Sequence, residues 1–420
     1  MDKRIRMGAG GEIVLMSLGG TRDFVMPDCL LQALGNIFKC GTSPYRKVEF
    51  GGGSFSNPNL YEHIPEDERV RLAKITDNLS KRPPFFRDSR KRLESNLAEA
   101  MKDTLSEETT LDLRKFNIHP TNGSTRSAIG HILNNFESSG KAIALPIPNW
   151  YFWDNKHGIE GDHNFKYFEA LNEDQLVSGF SKLAKGGKLD SVIISNPMTP
   201  LGYEISRDAA KEIDKVALHH GIKVLVDDVL RGTREVGERD TLASVFTNPY
   251  VAEGLGHRLG YDNRLGKISL VLTPVNDRKI NIPDFTNPQD IDLLEPLFRL
   301  AMKHASTPTL TELRKRNSEF DIGFRETAPD GVNVHRPYPT SITSLVTIPN
   351  SSSIDAINLA SMMYLSRDIL TGPISAFYPK NYDIPKAQRY NLRVSVGGNH
   401  SSETRENARI LGEAMTDFIR

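Results

Sequence analysis

Ser191-Val192-Ile193-Ile194-Ser195, a helical stretch over 207–219, then Val224-Leu225-Val226-Asp227-Asp228 decide how this chain folds. Both apolar runs are short and rich in β-branched residues. They are apolar on both faces, as strands must be when helices cover both sides of their sheet. Working outward, 142–145 and 268–273 read as further strands, and 124–135 and 173–183 as further helices. Strand and helix in alternation imply βαβ units, right-handed crossovers and a mostly parallel sheet. Such sheets bind ligands outside the carboxyl ends of their strands, so that edge is where chemistry is sought.

The flanks read differently. Residues 1–85 are irregular, with Gly51-Gly52-Gly53 and scattered prolines ending in Pro83-Pro84. A helix is expected over 88–102, with Leu93, Leu97 and Met101 on one face. After Pro283 the alternation weakens into a helix over 293–304, a mixed region ending in Leu392-Arg393-Val394-Ser395, and a closing helix over 402–419. This last third reads as a smaller α+β domain.

Composition narrows the functional classes. The 420 residues carry 53 Lys+Arg against 53 Asp+Glu, a formal net charge of zero. Binding nucleic acid or an anionic membrane would call for a basic excess. Two cysteines, Cys29 and Cys40, make neither a disulfide framework nor a structural zinc site, and no metal is expected. No window approaches the roughly 18 apolar residues of a membrane span. The charged N-terminus leads into glycine-rich sequence rather than an apolar signal core, so a cytoplasmic location is expected. A nucleotide-binding Rossmann enzyme would show Gly-x-Gly-x-x-Gly after its first strand, and none is there.

Four features fall at strand ends or helix starts. Thr121-Asn122-Gly123-Ser124-Thr125 opens a helix; it reads as a phosphate cradle or as an ordinary N-cap. Pro148-Asn149-Trp150-Tyr151 follows a strand and offers an aromatic either to a flat ring or to the core. Ser195-Asn196-Pro197-Met198-Thr199-Pro200-Leu201-Gly202 is a turn whose Asn196 presents an amide. Asp227 places a carboxylate at an apolar strand end, to hold a proton on a ring nitrogen or to cap and pair locally.

In this order the four resemble the fold type I pyridoxal-phosphate enzymes, in particular the aspartate aminotransferase-like family, from about Phe50 to the C-terminus. The resemblance implies a large α/β domain over 86–300, with a mostly parallel sheet of the seven-stranded type covered by helices. A smaller α+β domain would form from 301–420 with the N-terminal segment 1–85. It implies pyridoxal 5'-phosphate as cofactor, its phosphate on Gly123, Ser124 and Thr125, its ring stacked on Trp150, its phenolic oxygen on Asn196 and its ring nitrogen on Asp227. Arg393 would bind the α-carboxylate of an amino-acid substrate, with Gly52 and Gly53 in the segment that closes over it. The implied activity is transamination through an external aldimine and Cα deprotonation, in a homodimer with shared active sites.

The same likeness requires a lysine bonded to the cofactor, usually in a Ser-x-Ser-Lys stretch after a strand. After 268–273 the chain reads Thr273-Pro274-Val275-Asn276-Asp277-Arg278-Lys279, without the serines. Lys279 is the expected Schiff-base residue, although one count puts Arg278 in that slot, and arginine is not a usable nucleophile there. Leu230 stands where a tyrosine usually follows the aspartate. Arg231 or Arg278 would replace the phosphate-binding arginine, and Gly254-Leu255-Gly256-His257 reads as an extra loop. These departures keep two alternatives open: a non-transaminating enzyme of elimination, replacement or cyclisation, and a lysine-free binding protein of the same fold.

Overall fold

The computed structural model describes residues 6–7, 13–14, 48–49, 64–80, 87–136, 141–149, 164–259, 268–277, 288–304, 306–350, 352–367, 369–379, 382–397 and 401–419. Its main sheet has seven strands: Phe116–Asn122 (β1), Ala142–Ile147 (β2), Phe165–Glu169 (β3), Leu189–Ser195 (β4), Lys223–Asp227 (β5), Tyr250–Gly254 (β6) and Ile268–Pro274 (β7). Their spatial order is β1-β7-β6-β5-β4-β2-β3, and β7 alone runs against the others.

The two-residue period of a strand sorts the apolar side chains onto two faces. Ile143, Leu145, Ile193, Leu225, Ala252 and Val271 cluster with Ala128, Ile129, Ile132 and Leu133 of helix Thr125–Phe136. The alternate residues Ala144, Val192, Ile194, Val224, Val226, Val251 and Leu272 join a larger core on the other face. That core includes Leu97, Met101 and Leu105 of helix Arg87–Glu108, Leu176 and Phe180 of helix Glu173–Lys185, and Ile213 of helix Arg207–His220. Local signals end these helices where they stop: Asn172 and Ser206 cap two N-termini, and Gly221, at φ +63°, closes Arg207–His220.

A second sheet stands apart from the first. Asn333–His335 (β8), Thr343–Thr347 (β9), Gly372–Pro373 (β10) and Asn391–Ser395 (β11) form an antiparallel sheet ordered β8-β9-β11-β10. Its own core joins Val346, Leu392 and Val394 to Phe320, Leu359, Met363 and Leu411. Gly323 permits the close crossing of helices Ser306–Thr327 and Ser401–Phe418, because a Cβ there would lie 2.1 Å from the Arg405 carbonyl oxygen. Val48–Glu49 pairs in parallel with Ile369–Leu370.

The α/β architecture with a mostly parallel seven-stranded sheet is therefore as expected. Strand β6 was not: Tyr250-Val251-Ala252-Glu253-Gly254 carries a glutamate and a glycine, which break the apolar run that marks its neighbours. Glu253 is nonetheless buried, and the reason lies in an ion network. Arg231 donates to both Glu253 carboxylate oxygens, at 2.7 and 2.8 Å, and to Glu108 Oε2 at 3.1 Å. Arg239 donates to Glu108 Oε1 at 2.8 Å, and Arg258 donates to both oxygens of the same carboxylate. Glu108 ends its helix, where a negative charge is unfavourable to the helix dipole, and three guanidiniums compensate it. Burial alone would push this carboxyl up, but Arg258, then Arg231 and Arg239, hold it at about 2. The charges tie helix Arg87–Glu108 to the segment after β5, to β6, and to the short helix Gly256–Leu259 that follows β6.

Glu108→Gln leaves three buried guanidiniums short of one charge, so unfolding stability should fall by about 3–5 kcal/mol in urea denaturation. The native carboxyl also titrates below its ordinary 4.5, which fixes the sign of its pH effect. Its contribution, about 3 kcal/mol, is complete above pH 4.5 and is lost as pH falls towards 2, a loss that the Gln variant should not show.

Candidate functional site

The carboxyl edge of the main sheet gathers the described candidates. β1 runs into Gly123, whose φ of +104° suits glycine and whose Cβ would lie 2.5 Å from Ser127 Oγ. Ser269 Oγ donates to the Gly123 carbonyl oxygen at 2.7 Å and fixes this turn. Helix Thr125–Phe136 begins directly after it, so its first N–H groups precede the helix's own ladder. Thr125 Oγ1 is buried and has no hydrogen-bond partner among the described residues. Gly254, at the end of β6, packs against this hydroxyl so closely that a Cβ would stand 2.0 Å away.

Asn196 follows Ser195, which lies in register with Asp227 on the next strand, and Asp227 in turn pairs with Ala252 of β6. Asn196 Oδ1 accepts the Ile205 N–H at 3.0 Å, which leaves its NH2 group undirected among the described residues. Asp227 is buried; Oδ1 accepts the Val229 N–H at 3.1 Å. Burial pushes its carboxyl up to about 7, against that hydrogen bond and with further help from Asp228. Asp228, also buried, is pushed up to about 6 and takes the Thr241 hydroxyl. Among the described residues no salt bridge reaches Asp227, and Arg231, Arg239 and Arg258 are bound to Glu108 and Glu253.

Arg393 comes from the other sheet. It sits on β11 between Leu345 and Gly372, is 1% exposed, and holds its guanidinium carbon 5.8 Å from the Phe377 ring centroid. Its charge reaches His257, in the helix after β6: burial first, then Arg393, pulls that imidazole down to about 3, so it is neutral at physiological pH. The segments that follow β2 and β10 also meet, where the Asn149 N–H donates to the Phe377 carbonyl oxygen at 3.0 Å.

Gly123, Ser124, Thr125, Asn196 and Asp227 thus share one edge, with Arg393 facing it through His257. Gly52, Gly53, Trp150 and Lys279, with Arg278, lie outside the described residues. Asp277, two positions before Lys279, accepts the Tyr250 hydroxyl at the amino end of β6. Two expectations are corrected. Arg231 is not a spare phosphate ligand, because Glu108 and Glu253 occupy its guanidinium. The stretch 254–257 is not an extra loop but the end of β6 and the start of a helix. His257 was the residue missed as a candidate, and recognising β6 as a strand would have found it. Among the described residues no group of three or more His, Cys, Asp or Glu is placed to hold a metal ion, and no helix is long and apolar enough to cross a membrane.

No family model matches the sequence. An aspartate aminotransferase of Bacillus sp. (strain YM-2) is 28% identical over 94 residues, 22% of this chain and about a quarter (24%) of that relative. Solved structures match over far more of the chain. The kynurenine aminotransferase of Pyrococcus horikoshii, determined with PMP, superposes with a TM-score of 0.69 at 15% identity, over 94% of this chain and 98% of that one. For the multiple substrate aminotransferase of Thermococcus profundus the values are 0.66, 17%, 91% and 94%. For the aspartate aminotransferase of Thermus thermophilus they are 0.64, 14%, 94% and 100%. The chain has the aspartate aminotransferase fold, fold type I of the pyridoxal-phosphate enzymes.

The buried Asp227 sets a pH dependence of stability. Its folded value of about 7 stands above the ordinary 3.8, so the folded chain binds the extra proton between those limits. Stability of the ligand-free chain should fall as pH rises from 3.8 to about 7, and Asp227→Asn should flatten that fall in denaturation curves recorded across the window.

Proposed function

We propose that the chain binds pyridoxal 5'-phosphate at this strand-end site and acts on an α-amino acid as an aminotransferase-like enzyme. The observation that carries the reading is a set of polar groups at three strand ends that keep bonding capacity to spare among the described residues. These are the buried Thr125 hydroxyl beside a glycine-shaped turn, the Asn196 amide and the buried Asp227 carboxyl. They fit the cofactor group by group. The turn Gly123-Ser124-Thr125, closed by Gly254, offers N–H and O–H donors to a phosphate. The Asn196 NH2 suits a phenolic oxygen. Asp227 suits a protonated ring nitrogen, whose positive charge would return its pKa towards the ordinary range.

When bound, the cofactor supplies an electron-accepting ring that stabilises negative charge at the substrate's Cα. The chain supplies orientation and protons. Asp227 keeps the ring nitrogen protonated, and Arg393 takes the substrate carboxylate through its planar fork. Burial of Arg393 excludes water from that pair and strengthens it. The reading carries with it a homodimer and a cytoplasmic location.

Equilibrium dialysis of pyridoxal phosphate tests this reading. Asp227→Asn removes a charge-assisted hydrogen bond of about 1.5–3 kcal/mol, so the dissociation constant should rise about 10- to 100-fold. Gly254→Ala drives a methyl group into Thr125 Oγ1 and should weaken binding of pyridoxal phosphate while leaving pyridoxal, which lacks the phosphate, little changed. Equal affinity of the native chain for both ligands would count against the cradle.

A further inference from the structure

At the carboxyl edge, β1 ends in the cradle, β4 leads to Asn196 and β5 ends in Asp227. β6 ends between Asp227 and Thr125: Ala252 pairs with the first and Gly254 packs on the second. A residue bonded to a cofactor held by both therefore has its natural origin just after β6, where the chain reads Leu255-Gly256-His257-Arg258. There is no lysine in that stretch. Among the described residues, Lys141, Lys188 and Lys223 lie at the amino ends of β2, β4 and β5, on the far edge.

In sequence, Lys279 comes five residues after β7, whose carboxyl end lies away from the cradle. β7 is antiparallel to both neighbours, so Ile268 lies beside Asn122 and the cradle while Pro274 lies beside Phe116. The seven residues of β7 put about 20 Å between these ends. Asp277 is tied to the far end through Tyr250, and two further residues of chain reach at most about 7 Å.

The segment carrying His257 is held from both sides. Glu253 is clamped by Arg231, and Arg258 is clamped by Glu108. Gly232 lets the Arg258 stem pass, since a Cβ there would lie 2.8 Å from it. We propose that pyridoxal phosphate is held here without a covalent bond to the chain, and that His257 stands in place of the bonding lysine as the carrier of the substrate's Cα proton. This rests on the cofactor reading above. His257 would take the Cα proton at an imidazole nitrogen, and the cofactor, once the substrate amine has condensed with its aldehyde and released water, would supply the acceptor for the electron pair left at Cα. Arg393 couples the step to binding: burial first and Arg393 second disfavour protonation of His257, and a substrate carboxylate paired with Arg393 offsets the second of these.

Borohydride reduction of the full chain with bound pyridoxal phosphate, followed by peptide mass spectrometry, tests the inference. The native chain should bind the cofactor in dialysis, release it intact on denaturation, and carry no reduced adduct. His257→Lys should acquire an adduct at position 257, rising from none to about one per chain. Labelling of a native lysine would overturn the inference while leaving the cofactor reading intact; Lys267, which precedes Ile268 at the cradle edge, is the first to inspect, then Lys279. A His257→Lys chain that binds cofactor but stays unlabelled at 257 would also overturn it. No binding of cofactor to the native chain would overturn both. The native arm decides whether or not the variant folds.

Discussion

The Glu108 carboxylate, buried at the end of a long helix and gripped by Arg231, Arg239 and Arg258, is the constraint on which the rest of the site depends. Burying these charges is costly, and an apolar cluster of equal volume would stabilise the fold as well or better. What the network adds is direction. A bidentate guanidinium fixes distance and plane together, whereas aliphatic contacts tolerate sliding. Through Arg231 and Arg258 the same carboxylate sets the segment after β5 and the helix after β6, the two stretches that flank Asp227 and His257.

The network also shapes the field of the site. It engages Arg231, Arg239 and Arg258, and among the described residues Asp227 stands at a strand end without a salt bridge. Two positive poles accompany it: the start of helix Thr125–Phe136 and the buried guanidinium of Arg393, whose charge reaches His257. On the cofactor reading, these poles would suit one cationic ring nitrogen and two anionic groups, a phosphate and a carboxylate. Burial amplifies each pole, because little water remains to screen it.

Much of this was legible in the sequence, for physical reasons. Val192–Ile194 and Val224–Val226 face helices on both sides, so their apolar runs announced a covered parallel sheet, and the polar residues just beyond them marked its binding edge. Asn196 and Asp227 were found by that rule. β6 escaped it because Glu253 and Gly254 answer to tertiary partners, an arginine and a threonine far away in sequence. Without β6, the antiparallel β7 took its place in the reading, and the lysine was sought after β7. The ion network was invisible for the same cause, since positions 108, 231, 239, 253 and 258 share no local pattern.

On the cofactor reading, one strand edge holds a phosphorylated pyridine between a glycine-lined helix start and a buried aspartate. A crystal structure of the full chain with pyridoxal phosphate tests it most directly. The account predicts the phosphate on the N–H groups of Gly123, Ser124 and Thr125, the ring nitrogen against Asp227, and Arg393 facing the open side of the ring. A phosphate bound elsewhere, or a ring whose nitrogen turns away from Asp227, would contradict it.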